Sequence, residues 1–206
     1  MSPSADASAD SPFEILKSAR ETDGDFVRFA FTLHPAPDAS NPEQALSHHR
    51  WVGDNPDEHV HPTQEEHLHV QSGALRVILG ETDRTLTEGD EITLPRNVPH
   101  RHFNPTDRPA RVHLEHRPAR QSGELFSALY ALAQAGQTDS EGIPGPVQFA
   151  VLQDAHPNHA YTTSPPIWVQ KGLFALVAPV GRLLGYNADP VVEEENTIGE
   201  GQPAEG

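Results

Sequence analysis

Residues Gly53 to Gly73 read GDNPDEHVHPTQEEHLHVQSG. His59 and His61 stand two positions apart. On a strand that spacing puts both side chains on one face, about 7 Å apart at Cα, where two imidazoles can share an ion. Pro62, Thr63 and Gln64 then make a turn, and Glu66 begins the next strand. From Glu66 the same face carries Leu68 and Val70, and the opposite face carries His67, His69 and Gln71. A metal-binding carboxylate followed by inward apolar residues suits the interior of a barrel.

A second stretch, Gly89 to Asn104, reads GDEITLPRNVPHRHFN. His100 follows the turn Pro95 to Pro99, and Pro105 ends the strand, so the strand is short and fixed in register. His100, His102 and Asn104 share a face, which makes His100 the candidate third imidazole. His102 has three open readings: a partner that orients a metal ligand, a proton acceptor, or a hydrogen-bonded core histidine. Single strand histidines are commonly surface residues, the reading adopted for His67, His69 and His113.

The two stretches resemble the paired motifs of the cupin superfamily. The first has Gly53, five residues, His59-Val-His61, four residues, Glu66, six residues and Gly73; the second has Gly89, five residues, Pro95, one residue, Asn97, two residues, His100, three residues and Asn104. Asn97 stands where the family usually has Gly, a mild departure because Asn tolerates positive φ. The resemblance implies a mainly β fold: a double-stranded β-helix, or jelly-roll barrel, here with a C-terminal α-helical extension. It maps the family's metal ligands onto His59, His61, Glu66 and His100. Glu65 competes with Glu66 for the carboxylate position. The distance to Gly73 and the strand parity favour Glu66, leaving Glu65 facing outward.

Outward from these motifs, residues 25–118 read as the barrel. Short runs of strand-like sequence are separated by Gly, Pro, Asp and Asn. Residues 35–57 form a long connection holding His48, His49, Arg50 and Trp51, read as an exposed loop rather than a lid over the barrel. Residues 119–190 read as a helical extension. Leu125, Leu129 and Leu132 share one face of a first helix that stops at Gly136. A short helix is expected over 147–155, and a last one opens after Pro165 and Pro166 with a kink at Pro179. Residues 1–24 are expected to be a flexible segment and 191–206 an acidic tail.

The chain has 206 residues and no cysteine. Disulfides, thiolate catalysis and Cys-based zinc sites are thereby excluded, so a metal must sit on His and carboxylate ligands. The net charge is -16, and Lys17 and Lys171 are the only lysines. Such a balance argues against nucleic acid and anionic membranes as partners. It fits either adaptation to high salt or the weight of acidic tails. The N-terminus lacks a signal-peptide pattern and no run reaches the roughly 18 apolar residues of a spanning helix, so a cytoplasmic protein is expected. Leu173, Phe174, Leu176 and Val177 lie in a nearly uncharged stretch, which predicts packing on the barrel or on a second subunit, with a homodimer as the expectation.

Three imidazoles and a carboxylate suit one divalent transition metal ion: Fe, Mn, Ni, Co or Zn. Leu68, Val70, Ile92 and Leu94 are expected to surround it with an apolar cavity for a small-molecule ligand. The leading expectation is a dioxygenase acting on an aromatic or enol-type substrate, with Glu66 or His102 as proton acceptor. Alternatives are a non-catalytic binding or sensing protein and, more weakly, a sugar isomerase or epimerase.

Overall fold

The computed structural model describes residues 12–35, 58–139, 142–157 and 159–189. Gly53, the histidine-rich loop around Trp51, the first residues and the acidic tail lie outside the described residues.

Among the described residues, ten strands form two five-stranded antiparallel sheets. The strands are β1 (Phe13–Lys17), β2 (Val27–Leu33), β3 (His59–Val60), β4 (Glu65–Ser72), β5 (Ala74–Leu79), β6 (Thr82–Thr87), β7 (Glu91–Leu94), β8 (His100–Phe103), β9 (Ala110–Arg117) and β10 (Tyr161–Thr162). One sheet has the order β1-β2-β9-β4-β7 and the other β10-β3-β8-β5-β6. The alternation of side chains builds the core. Val27, Phe29, Phe31 and Leu33 of β2, Leu68 and Val70 of β4, Leu75 and Val77 of β5, and Val112 and Leu114 of β9 are all buried in one cluster. The register pairs Leu68 with Leu114 and Val70 with Val112.

Among the turns with left-handed backbone are two that flank the strands carrying Glu66 and His100. Gly73, between β4 and β5, has φ +79°, and a Cβ there would lie 2.8 Å from the Ala110 Cα, so only Gly fits. Asn97 has φ 60°, the left-handed conformation that Asn tolerates in place of Gly.

Among the described residues, three helices follow the barrel: α1 (Ser122–Gln134), α2 (Pro146–Ala155) and α3 (Ile167–Leu183). The face of α1 expected to be apolar is buried: Leu125, Leu129 and Leu132 pack with Leu152 of α2. Phe126 of the same helix lies 5.1 Å from Phe29 and 5.4 Å from Phe31, ring centre to ring centre. The extension therefore shares the barrel's core. Helix α3 packs on α2, where a Cβ at Gly181 would meet Val151 Cγ2 at 2.7 Å and Val147 Cγ1 at 2.9 Å. Its other side leaves Trp168, Leu173, Leu176, Val180 and Leu183 exposed. Among the described residues, no helix is long and apolar enough to cross a membrane.

Residues 1–24 are not flexible throughout. Phe13–Lys17 pairs antiparallel with β2 as an edge strand. The cause is Phe13, whose ring is buried against Phe29, Phe31 and Tyr130. A single anchoring aromatic in a five-residue strand leaves little periodic signal. The two-residue strand β10, which extends the second sheet next to β3, left none.

Candidate metal centre

The ligand-bearing strands come from both sheets. β4 supplies Glu66, β3 and the residue after it supply His59 and His61, and β8 supplies His100. The register places His59 opposite His100 and Glu66 opposite His116 of β9. One ligand atom from each of His59, His61, Glu66 and His100 lies within 4.8 Å of the others. The expected quartet is thus brought together. The parity reading holds as well: Glu66 is buried, whereas Glu65 is only half-buried and faces His67 at 3.1 Å.

Glu66 is the hub. Its Oε2 stands 3.4 Å from His61 Nε2, 3.3 Å from His100 Nε2 and 3.9 Å from His116 Nε2. Its Oε1 stands 3.1 Å from His102 Nε2. Burial alone would push this carboxyl up, but hydrogen bonds from His100, His102 and His61 hold it well below the usual range, so it is a carboxylate. His100 Nδ1 donates to the Val98 carbonyl at 2.8 Å, which leaves Nε2 to face the site. Burial opposes charge on His100, but contact with Glu66 raises its pKa.

These residues fit a metal ion. Donors sharing one ion at about 2.1 Å stand about 3 to 4.2 Å apart, and the His61–Glu66 and His100–Glu66 distances lie in that range. The tautomer of His100 is set by a carbonyl behind it, the usual arrangement for a metal-binding imidazole. Mixed nitrogen and oxygen donors match a transition metal better than calcium or magnesium.

Two histidines were not expected here. His116 follows Ala110, Val112 and Leu114 in the inward parity of β9, a signal that could have placed it inside. It is buried, and burial with the nearby His61 lowers its pKa to about 3. His159 precedes β10, in a segment without periodicity. Its ring lies 5.0 Å from His61 and 5.1 Å from His116, and burial holds its pKa well below 6.5. His159 Nδ1 faces Gln64 Oε1 at 3.4 Å. His67 and His69 face outward as expected, and His113 is half-buried beside His69.

The site opens into a cavity of about 330 Å³. The expectation that Val70, Ile92 and Leu94 line it is corrected: they pack within the barrel core instead. Of the expected four, Leu68 remains in the wall. It is joined by Phe31 and Leu114 from the barrel and by Leu129, Phe149 and Leu152 from the helices. Half of the cavity is therefore built by the extension, whose pairing with the barrel is a tertiary fact that strand parity does not contain.

Residues 49–115 match the cupin domain family. Protein SchB of Streptomyces halstedii is 37% identical over 60 residues, which is 29% of this chain and 44% of that protein; the match thus spans less than half of its relative. Among solved structures, the Schizosaccharomyces pombe Cnp3 cupin domain is 10% identical, with 52% of this chain and 59% of that one covered and a TM-score of 0.39. A structure described as a sugar phosphate isomerase of the cupin superfamily from Silicibacter pomeroyi is 20% identical, covering 53% and 61% with a TM-score of 0.38. The cupin domain of an XRE family transcriptional regulator from Enterobacter cloacae is 21% identical, covering 51% and 93% with a TM-score of 0.37.

Proposed function

With residues 49–115 a cupin domain, we propose that this protein is a metal-dependent dioxygenase acting on a small aromatic or enol-type substrate. The observation that carries the reading is the convergence of His59, His61, Glu66 and His100, with His59, His61 and Glu66 in the wall of an apolar cavity. A divalent transition metal held by these four would supply Lewis acidity and, if redox-active, a route for electrons to dioxygen.

The remaining chemistry belongs to the side chains. The substrate's apolar body lies against Phe31, Leu68, Leu114 and Leu129, which exclude water and strengthen electrostatic interactions at the site. Glu66 and His102 are the groups assigned to take a proton from a substrate hydroxyl. His102 lines the cavity and contacts the Glu66 oxygen that faces away from His61 and His100, so a proton received by His102 would remain paired with a carboxylate.

Elemental analysis of anaerobically purified protein, followed by oxygen-electrode assays with catechols and enolisable diketones, tests the reading. About one metal ion per chain and substrate-dependent oxygen uptake are expected. Ligand-induced thermal shifts without oxygen uptake would replace it with a binding or sensing role. That second reading is favoured by one feature: both Glu66 oxygens already face imidazoles, which weakens Glu66 as a base.

A further inference from the structure

Gln153 sits on α2, lines the cavity and is 7% exposed. Apart from histidine nitrogens, its Oε1 is the one buried side-chain polar atom without a hydrogen-bond partner among the described residues. The other polar groups on the helical side of the cavity are engaged. The Tyr161 hydroxyl donates to the Pro157 carbonyl, the Thr162 hydroxyl donates to Gln170 Oε1 at 3.0 Å, and His159 Nδ1 faces Gln64. A buried amide oxygen left unmatched is costly and calls for a partner from elsewhere.

The cavity also has a definite charge character. Among the described residues, its ionisable lining consists of Glu58, Glu66, Tyr161 and histidines, with no Lys or Arg. A phosphate or carboxylate brought into it would meet these carboxylates and, among the described lining residues, find no fixed cation, a poor exchange for its hydration.

We propose that the cavity takes an uncharged, mostly apolar ligand that turns one oxygen-bearing edge to the metal site and offers a hydroxyl to Gln153. The proposal rests on the reading of His59, His61, Glu66 and His100 as a metal site. It adds a specificity-determining residue outside the cupin segment. A hydroxyl both donates and accepts, so it satisfies the carboxamide whichever way the terminal amide is turned.

The test uses the full chain loaded with Zn(II), which binds without turnover, and isothermal titration with 2,3-dihydroxynaphthalene and its ring-hydroxylated triols. The parent diol should bind, and at least one triol should bind about tenfold more tightly, the gain of one well-placed hydrogen bond. The ratio of triol to parent-diol affinity, measured within each variant, should fall to about one in both Gln153→Leu and Gln153→Met. Protocatechuate should bind at least about tenfold more weakly than catechol. In the absence of ligand, both variants should melt no lower than wild type, because the amide oxygen has no partner to lose.

A triol gain that survives in both variants, no gain from any triol, protocatechuate binding as well as catechol, or a lowered melting temperature in both variants would overturn the proposal. Diol binding without a triol gain overturns the proposal and leaves the reading of the metal site in place. Failure of every diol to bind metal-loaded protein removes the reading of the site along with it.

Discussion

The Asn97 backbone N–H donates to the His61 carbonyl at 3.0 Å, so the turn before His100 is tied directly to the loop that carries His61. The positive φ of Asn97 and the inward parity of Glu66 were legible because each is a local property of backbone and alternation. His61 is buried in the quartet and His67 faces Glu65 and Thr93 on the outer surface. His61→Ala should therefore remove most of the bound metal and His67→Ala should leave it in place, as read by metal content after gel filtration. The reverse result would mean that the strand faces the other way.

His116 carries a pH signature. Its pKa is about 3 in the folded protein against an ordinary 6.5. Between those values the unfolded chain binds a proton that the folded chain refuses. Stability is thus independent of this group above 6.5 and falls as pH drops, by about 1.4 kcal/mol per pH unit. His159 is shifted in the same direction. The urea midpoint of metal-free protein should decline from pH 6.5 downward, and His116→Phe should flatten that slope. An unaltered slope in the variant would place the titration elsewhere.

At the level of elements, the strands around the two motifs could be read because alternation at period two, punctuated by Gly and Pro, fixes which face is buried. Helix α1 was legible for the matching reason at period 3.6. What escaped was pairing over distance: β1 on β2, β10 on β3, and His159 on His61 all join segments whose local sequence carries no record of the partner. The contact of α2 with α3 turns on a residue whose significance is likewise invisible in isolation. Gly181 lies close to Val147 and Val151. Gly181→Leu should destabilise the protein by about 1–3 kcal/mol through overpacking, measured by chemical denaturation, with metal content unchanged. Full stability in the variant would show that the two helices separate readily.

For the whole molecule, the outer face of α3 bears on assembly. Trp168, Leu173, Leu176, Val180, Leu183, Leu184 and Tyr186 are exposed. The helix has no acidic residue, and its two cations are engaged within the chain: Lys171 lies over the Tyr161 ring and Arg182 pairs with Asp154. The face is therefore apolar and free of unmatched charge, which suits an identical face related by a two-fold axis. A stable pair buries roughly 800 Å² per partner. We propose a homodimer through this face. Light scattering should give twice the chain mass, and Leu176→Glu with Val180→Glu should give a folded, metal-binding monomer. A wild-type monomer at every concentration and salt would exclude the pairing.

Gln64 lies between His61 and Glu66, and its amide NH2 faces the Pro118 carbonyl at 2.8 Å, the Ala119 carbonyl at 3.1 Å and Ser122 Oγ at 2.8 Å. One side chain thus fastens the ligand loop to the start of α1. The consequence concerns inheritance. A recombination event that exchanged the sequence after residue 118 for an unrelated one would deliver a barrel whose ligand loop had lost its anchor and whose Phe29 and Phe31 had lost Phe126. Exchange of the helices as a block would thus cost the site its anchor, whereas a point substitution at a place such as Gln153 leaves that anchor intact.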